Sequence, residues 1–266
     1  MKAYIITDME GIAGIAGWDS HKGTVVDNKK EEWMTLEVEA AVQGAKKAGA
    51  DEIIIAESHK LIIDLLDKDV KVVVSGEFSL DYLPGLDASV DAVLIIGQHA
   101  RSGIGTGVLN HTGNNTTLNI FLNGKVIGEA GFEMAYAASM GVPTIFLSGD
   151  KAAAEEANDL VKNMETVVVK EGINKYMAIS VHPEKARELI KNGVEIAFSR
   201  MKEIDVFKPA PPYELVIEFS TTQTASKMAI IPGVKKIDGR TISYTSMNFK
   251  EIVAIYCLRG ALYDVK

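Results

Sequence analysis

The chain opens with Ala3-Tyr4-Ile5-Ile6-Thr7-Asp8-Met9-Glu10-Gly11, a short apolar run that is followed by two acids and a glycine. An apolar run without polar alternation is typical of a strand that is buried on both faces of a sheet. In an extended chain, residues two apart point to the same face, so Asp8 and Glu10 can converge. The opening therefore predicts a buried strand that carries a pair of carboxylates at its carboxyl end.

Further apolar runs and amphipathic segments follow within the first 150 residues. They predict strands at residues 52–56, 70–75, 92–97 and 144–148, helices at 30–48 and 129–140, and a hairpin at 119–128 around Asn123-Gly124. Helices separate at least some of the buried strands, which favours a parallel arrangement. The sequence therefore predicts an α/β fold with a mostly parallel, helix-covered central sheet.

The pattern changes after Gly149-Asp150, where amphipathic helices and separate strands follow. The sequence predicts helices at 151–161, 183–201 and 249–263, strands at 166–170, 214–220, 227–231 and 241–245, and a stiff proline connector at 208–212. We therefore expect two parts, an α/β core domain at residues 1–150 and a smaller C-terminal α+β part at residues 151–266. The two parts could share one hydrophobic core.

The composition is that of an ordinary globular protein, with 47% hydrophobic and 24% charged residues in a chain of 266. No apolar run reaches the roughly 18 to 20 residues that a membrane helix needs, and Asp8 comes too early for a signal peptide. The formal charge of −8 disfavours nucleic acid as a partner, and the single cysteine excludes an internal disulfide or a multi-cysteine zinc site. We therefore expect a cytoplasmic protein that contacts neither membrane nor nucleic acid.

Acidic and imidazole side chains follow the ends of three predicted strands. Asp8 and Glu10 follow the first strand, and His59 follows the second. His99 follows the fourth, and Glu129 opens the helix after the hairpin. Ligands of open parallel sheets bind at the carboxyl ends of the strands, and carboxylates with imidazoles are the ligand set of Zn²⁺ and similar ions. Taken singly, each acid could instead cap a helix or turn, and each histidine could be an ordinary polar residue.

His111 lies in a polar stretch with four glycines at residues 103–115. Loops of this kind often fold over active sites, but His111 could equally be an exposed loop residue. Three other residues have structural interpretations. We expect Asp150 to be a helix N-cap, Glu133 to be a solvated helix acid or a support for the metal ligands, and His21 to lie at the surface.

Several of these motifs, in this order, resemble those of the D-aminopeptidase family, the zinc-dependent peptidases of dipeptide-transport operons in bacilli (peptidase family M55). The matching elements are Thr7-Asp8-Met9-Glu10-Gly11, Glu57-Ser58-His59, Gly97-Gln98-His99-Ala100-Arg101, Asn110-His111, Gly128-Glu129-Ala130-Gly131 and Leu147-Ser148-Gly149-Asp150. The resemblance covers essentially the whole chain, and Thr7 stands where the family has serine.

The resemblance implies a zinc-dependent aminopeptidase that removes N-terminal D-amino acids, such as D-alanine, from short peptides or amides. It implies two Zn²⁺ ions per subunit, bound within a metal-binding core domain at residues 1–150. Their ligands would be Asp8, which bridges both ions, Glu10 and His59 on one ion, and His99 and Glu129 on the other. His111 would act at the reacting centre as a base, an acid or a nucleophile. The family also implies a homo-oligomer, a decamer whose active sites face an internal chamber.

Two other functions stay open on the residues alone. Two-metal sites also serve phosphoesterases, although no basic cluster is evident in the sequence to neutralise a phosphate. A non-catalytic protein that binds a metal or a small ligand could use the same cleft.

Overall fold

The computed structural model describes residues 1–18, 29–74 and 82–261. Its strands are β1 (Lys2–Thr7), β2 (Glu52–Ala56), β3 (Lys71–Val73), β4 (Ala92–Gln98), β5 (Thr117–Leu122), β6 (Lys125–Ile127), β7 (Thr144–Asp150), β8 (Glu165–Asn174), β9 (Met177–Ser180), β10 (Tyr213–Phe219), β11 (Lys235–Lys236) and β12 (Thr241–Ser246). Its α-helices are α1 (Lys30–Lys47), α2 (Glu129–Ser139), α3 (Lys151–Leu160), α4 (Pro183–Ser199), α5 (Thr222–Met228) and α6 (Phe249–Ala261). His21 and the end of the predicted strand at 70–75 lie outside the described residues.

Seven strands form the main sheet, in the order β3-β2-β1-β4-β7-β8-β9. All neighbours run parallel except β9, which pairs antiparallel with β8. Every residue of β4 and β7 is buried, and because side chains alternate between faces, both faces of the sheet are covered there. The mostly parallel, helix-covered central sheet predicted from the sequence is confirmed.

The helices that cover the main sheet pack in two pairs. Helix α1 packs against α4, and α2 packs against α3. Each of these four helices also contacts strands in the middle of the sheet. Among the described residues, no helix combines the length and the apolar character that crossing a membrane requires.

A second, antiparallel sheet of five strands has the order β11-β12-β10-β5-β6. Its β5–β6 hairpin turns at Asn123 and Gly124, which both have positive φ, as the Asn-Gly signal predicts. Both sheets contain strands from before and after residue 150, and the buried apolar residues form one cluster. The expected division of the chain at residue 150 stays a prediction.

Helix α5 and strand β9 are among the short elements that differ from the sequence prediction. The strand predicted at 227–231 is wrong, because helix α5 occupies Thr222–Met228. Thr221 caps this helix by accepting a hydrogen bond from the Thr224 amide (3.2 Å), and this start signal outweighs the apolar run that follows. The edge strand β9 is absent from the prediction because its side chains are mostly exposed, so they lack the alternation of a half-buried strand.

The carboxyl ends of β1 and β4 approach each other more closely than side chains would allow. The Gly11 amide donates a hydrogen bond to the Gly97 carbonyl (2.6 Å), and Gly97 has a φ of +80°. A Cβ atom on Gly97 would lie 2.0 Å from the carbonyl oxygen of Asp8, far inside contact distance. Glycine is therefore required where the chain sets the distance between Asp8 and the segment that leads to His99.

We expect Gly97→Ala to lower the free energy of unfolding by at least about 3 kcal/mol, because it adds a backbone clash to the strain of positive φ. Gly103→Ala is the matched control, since Gly103 also has positive φ (+87°) but a Cβ atom there would have no neighbour within 4 Å. The control should lose only about 1 kcal/mol. Urea unfolding measures both values, and equal losses in the two variants would contradict this account.

Candidate metal centre

The structure brings all six predicted site residues to the carboxyl edge of the main sheet. They form two groups, and within each group one ligand atom per residue lies within 4.8 Å of the others: Asp8, Glu10 and His59, and His99, His111 and Glu129. Asp8 lies between the groups, because its Oδ1 is 3.2 Å from His59 Nε2 and its Oδ2 is 3.4 Å from His99 Nε2. The two groups therefore meet at a single carboxylate.

The spacing of the donor atoms fits divalent cations. His59 Nε2 is 3.2 Å from Glu10 Oε2, and His99 Nε2 is 3.2 Å from Glu129 Oε1. Two ligands at about 2.0–2.1 Å from a tetrahedral Zn²⁺ ion lie about 3.3 Å apart, which matches these separations. Glu10 Oε2 and His99 Nε2 are buried, and apart from these contacts within the cluster neither has a hydrogen-bond partner among the described residues, so both are available to an ion. The residues present therefore fit a pair of metal ions.

Hydroxyl groups join the strand ends that carry two of these ligands. The Thr7 hydroxyl donates to the Ala56 carbonyl (3.0 Å), and the Ser58 hydroxyl donates to the Thr7 carbonyl. These bonds join β1 to β2 immediately before Asp8 and His59. Either serine or threonine can supply the hydroxyl at position 7, so the change from the family pattern preserves this contact.

Carbonyl groups set the ring orientation of His99 and His111. His99 Nδ1 lies 2.8 Å from the Ala100 carbonyl, and His111 Nδ1 lies 2.9 Å from the Leu109 carbonyl. Because a carbonyl only accepts, the neutral form of each ring carries its proton on Nδ1. Each Nε2 atom then faces the site with a free lone pair, and the two rings stack with their centroids 4.1 Å apart.

Buried charges dominate the metal-free centre. Burial opposes protonation of both His59 and His99. The neighbouring carboxylates outweigh it: Asp8 and Glu10 raise the pKa of His59 to about 10. Asp8 and Glu129 raise the pKa of His99 to about 10. Burial raises the pKa of Asp8 to about 7. Burial also opposes ionisation of Glu129, but His99 lowers its pKa to about 2. Two imidazolium groups thus supply the positive charge that the clustered carboxylates require.

The loop that carries His111 is anchored on both sides of the ring. On one side, the Val108 amide donates to Asp150 Oδ2 (2.7 Å), and on the other, the Gly113 amide donates to Glu129 Oε1 (2.6 Å). Asp150 also caps α3, as predicted. His111 is therefore a partly buried residue held over the centre, and the alternative of an exposed loop residue is wrong.

Two buried charged residues that the sequence analysis missed hold the segment after Glu10. Lys170 on β8 is 1% exposed, and its ammonium group donates to the carbonyls of Glu10, Ile12 (2.9 Å) and Ile15 (2.6 Å). Glu37 on α1 accepts an amide hydrogen bond from the same segment (2.9 Å). The sequence does contain one signal for the role of Lys170. This lysine directly follows the apolar run of β8, at a position where an apolar residue would be expected.

Trp18 is a further contact residue that sequence reasoning missed. Its indole Nε1 donates to Glu10 Oε1 (2.5 Å), and its ring packs edge-on against His111 with the centroids 5.5 Å apart. Trp18 therefore connects a candidate ligand of one group with a histidine of the other. No local pattern signals this contact, because it depends on the folding of separate loops.

Glu133 is buried, so the expectation of a solvated helix acid is wrong. It lies one turn after Glu129 on α2, whose residues 130–138 are all buried and leave no solvent-facing side at this point. Its Oε2 has no hydrogen-bond partner among the described residues. Burial raises the pKa of Glu133 well above its usual range, and the negative charges of Glu129 and Asp8 add to this effect.

The fold and the paired ligand groups are those of a metal-dependent α/β enzyme. A family model described as Peptidase_M55, D-aminopeptidase, matches residues 1–257. The chain therefore belongs to the D-aminopeptidase family, as its motifs predicted, and it is an enzyme.

A sequence comparison and a structure comparison support this assignment. The chain is 27% identical over 251 residues to a D-aminopeptidase of Bacillus subtilis (strain 168), and the match covers 91% of this chain and 89% of the relative. Its fold is also similar to the solved structure of the Zn-dependent D-aminopeptidase DppA from Bacillus subtilis, described as a self-compartmentalizing protease. That match has a TM-score of 0.92 at 25% identity and covers 98% of this chain and 97% of the other.

We expect Zn²⁺ binding to the metal-free protein at pH 8 to release about two protons, one each from His59 and His99. A metal binds neutral imidazole, whereas the pKa of both rings is about 10 without it. Lowering the pH should weaken the affinity, because protons compete more strongly for the same nitrogens. Calorimetric titrations in buffers of different ionisation enthalpy count the protons. His59→Ala should release about one proton fewer, and an unchanged count would argue against its role as a ligand.

Proposed function

We propose that this chain is a zinc-dependent aminopeptidase that removes N-terminal D-amino acids, such as D-alanine, from short peptides or amides. The observation that carries the proposal is the meeting of the two ligand groups at Asp8. Membership of the D-aminopeptidase family supports the substrate class, and similarity to the Zn-dependent relative supports zinc as the metal.

We assign two zinc ions to this centre. The proposed ligands are Asp8 to both ions, Glu10 and His59 to one, and His99 and Glu129 to the other. His111 lies in the same group as His99 and Glu129, with its Nε2 3.7 Å from Glu129 Oε1, and the family resemblance assigns it to the reacting centre and not to an ion. A bound pair of zinc ions supplies polarisation of the scissile carbonyl and activation of a water molecule near neutral pH.

His111 is the proposed general base and acid. With its proton on Nδ1, the ring presents a free lone pair at Nε2. Burial lowers the pKa of His111, and in the metal-free protein the positive charge of His99 lowers it further. The burial remains when the centre is loaded, so the ring is neutral near pH 7 and would accept a proton from the attacking water. The protonated ring then returns this proton to the leaving amine. Trp18 packs edge-on against the ring and restricts its orientation.

We also propose that the chain forms a homo-oligomer, a decamer by the family resemblance. The β8–β9 hairpin supports assembly, because each of its residues Ile173, Tyr176, Met177 and Ile179 exposes more than half of its surface. The relative DppA is described as self-compartmentalizing, which agrees with a closed assembly. A cytoplasmic location stays a prediction from composition.

The stereochemical part of the proposal has a direct test. The zinc-loaded protein should hydrolyse D-alanyl-p-nitroanilide with a kcat/KM at least about tenfold above that of the L isomer, a difference of about 1.4 kcal/mol in transition-state binding. Faster hydrolysis of the L isomer would refute the D assignment. Turnover of p-nitrophenyl phosphate in place of both amides would favour the phosphoesterase alternative. A zinc-loaded protein without any turnover would favour a non-catalytic metal-binding protein.

The roles of the two stacked histidines separate by mutation. His111→Ala should keep its zinc and lose about 10²- to 10⁴-fold in turnover, because it removes proton transfer without removing a ligand. His99→Ala, the matched change in the neighbouring ring, should lose metal. Elemental analysis and steady-state kinetics measure both effects. Loss of zinc from His111→Ala would make that residue a ligand, and a fully loaded, active His99→Ala would remove His99 from the ligand set.

A further inference from the structure

A pocket of about 290 Å³ adjoins the metal centre beside helix α2. Its walls are largely apolar and include Ile6, Ala56, Val73 and Leu83. Glu129, a proposed zinc ligand, forms part of the same wall, so the pocket and the centre share a side. A substrate whose carbonyl lies at the centre can therefore extend one side chain into this space.

Glu133 lines this pocket with a carboxyl group whose Oε2 lacks a partner among the described residues. The residue is 9% exposed, and its buried Oε2 makes no hydrogen bond to any described residue. The charged groups that act on it are two acids, Glu129 and Asp8, and one base, His99. A buried carboxyl without a partner is unfavourable, and a ligand that donates hydrogen bonds to it would recover that free energy.

Glu57 is the other acid in the pocket wall whose side chain could serve such a ligand. Its Oε1 already accepts a hydrogen bond from the Leu61 amide (2.7 Å). It is also only partly buried, so water can hydrate its charge. Glu133 is therefore the acid for which an incoming donor makes the larger difference.

We propose that Glu133 binds the free α-amino group of the substrate, and that the apolar part of the same pocket holds the side chain of the N-terminal residue. This inference deepens the proposed aminopeptidase function and rests on it. Glu129 and Glu133 are one helical turn apart, about 5–6 Å between their Cβ atoms. In the substrate, two covalent bonds separate the amino nitrogen from the scissile carbonyl carbon. A carbonyl beside Glu129 therefore places its amine within reach of Glu133.

The contact with Glu133 restricts cleavage to the first residue of a peptide. An acylated or internal nitrogen carries no positive charge and has only one hydrogen to donate, so it would satisfy the buried carboxyl less well than an amine. The hydrogen bond forms whether the shared proton lies on the amine or on the carboxyl. The pocket thus selects for a free amino terminus and accepts an apolar side chain such as that of alanine.

D-Alanine and propionate test the inference, because the two molecules differ only in the amino group. Both are measured as competitive inhibitors of D-alanyl-p-nitroanilide hydrolysis, and by calorimetry, which needs no turnover. The wild-type zinc enzyme should bind D-alanine at least about tenfold more tightly than propionate. Glu133→Met should lose this preference and raise KM at least about tenfold, while its propionate affinity and zinc content stay within about twofold. Glu133→Gln, which keeps an acceptor, should fall between the two.

Stability gives an independent measurement of the same residue. Because Glu133 is buried and its Oε2 has no partner within the described parts of the chain, Glu133→Met should keep or raise the melting temperature, as expected of a residue that serves binding at the expense of stability. A purely structural role predicts a lower melting temperature instead. Glu57→Gln changes the other acid of the wall and should keep the preference for D-alanine.

Three results would overturn the inference while leaving the aminopeptidase function standing. These are an unchanged amine preference in Glu133→Met, loss of that preference in Glu57→Gln, and a Glu133→Met protein that loses zinc or unfolds. A wild-type zinc enzyme that cleaves no D-aminoacyl amide would overturn the proposed function itself. The two kinds of failure are therefore distinguishable.

Discussion

The site depends on one electrostatic constraint, the placement of three carboxylates in a single buried region. Asp8, Glu10 and Glu129 would repel one another and lose hydration there, so they stay ionised only with positive charge between them. In the metal-free protein His59 and His99 provide that charge as imidazolium groups. Under the proposed ligand assignment, the same rings would be neutral when cations are bound, and the ions would supply the charge. Protons and metals would then compete for the same atoms, and the two groups could assemble before an ion arrives.

A centre with this much buried charge needs a frame that does not depend on the ions. Lys170 binds three carbonyls of the segment after Glu10, and Gly97 allows the ends of β1 and β4 to approach at the backbone. Both act on the main chain and leave the ligand side chains free. The hydrogen bond from Trp18 to Glu10 adds an orienting contact, because it occupies one carboxylate oxygen and leaves the other toward His59.

Helix α2 presents two acids to two different partners under the functions proposed here. Glu129 faces the imidazoles and serves an ion, whereas Glu133, one turn later, faces an apolar pocket and serves the substrate's amine. The spacing of the helix then sets the distance between the reacting carbonyl and the free amino terminus. Under this proposal, the buried Glu133 Oε2, which has no partner among the residues described, lowers the stability of the free enzyme, and binding of a substrate amine would offset that loss.

The sequence by itself determined the parallel α/β sheet and the residue types at its strand ends, because apolar periodicity, caps and Asn-Gly turns are local signals. It also carried the ordered motifs around Asp8, His59, His99 and Glu129. It missed Lys170, whose carbonyl partner on Glu10 is 160 residues away, and it mistook the buried Glu133 for a solvated acid. Only the tertiary structure decided which groups meet, how deeply they are buried and that Glu133 Oε2 has no hydrogen-bond partner in the described part of the chain. These properties arise from contacts between distant segments, and no local pattern in a chain records them.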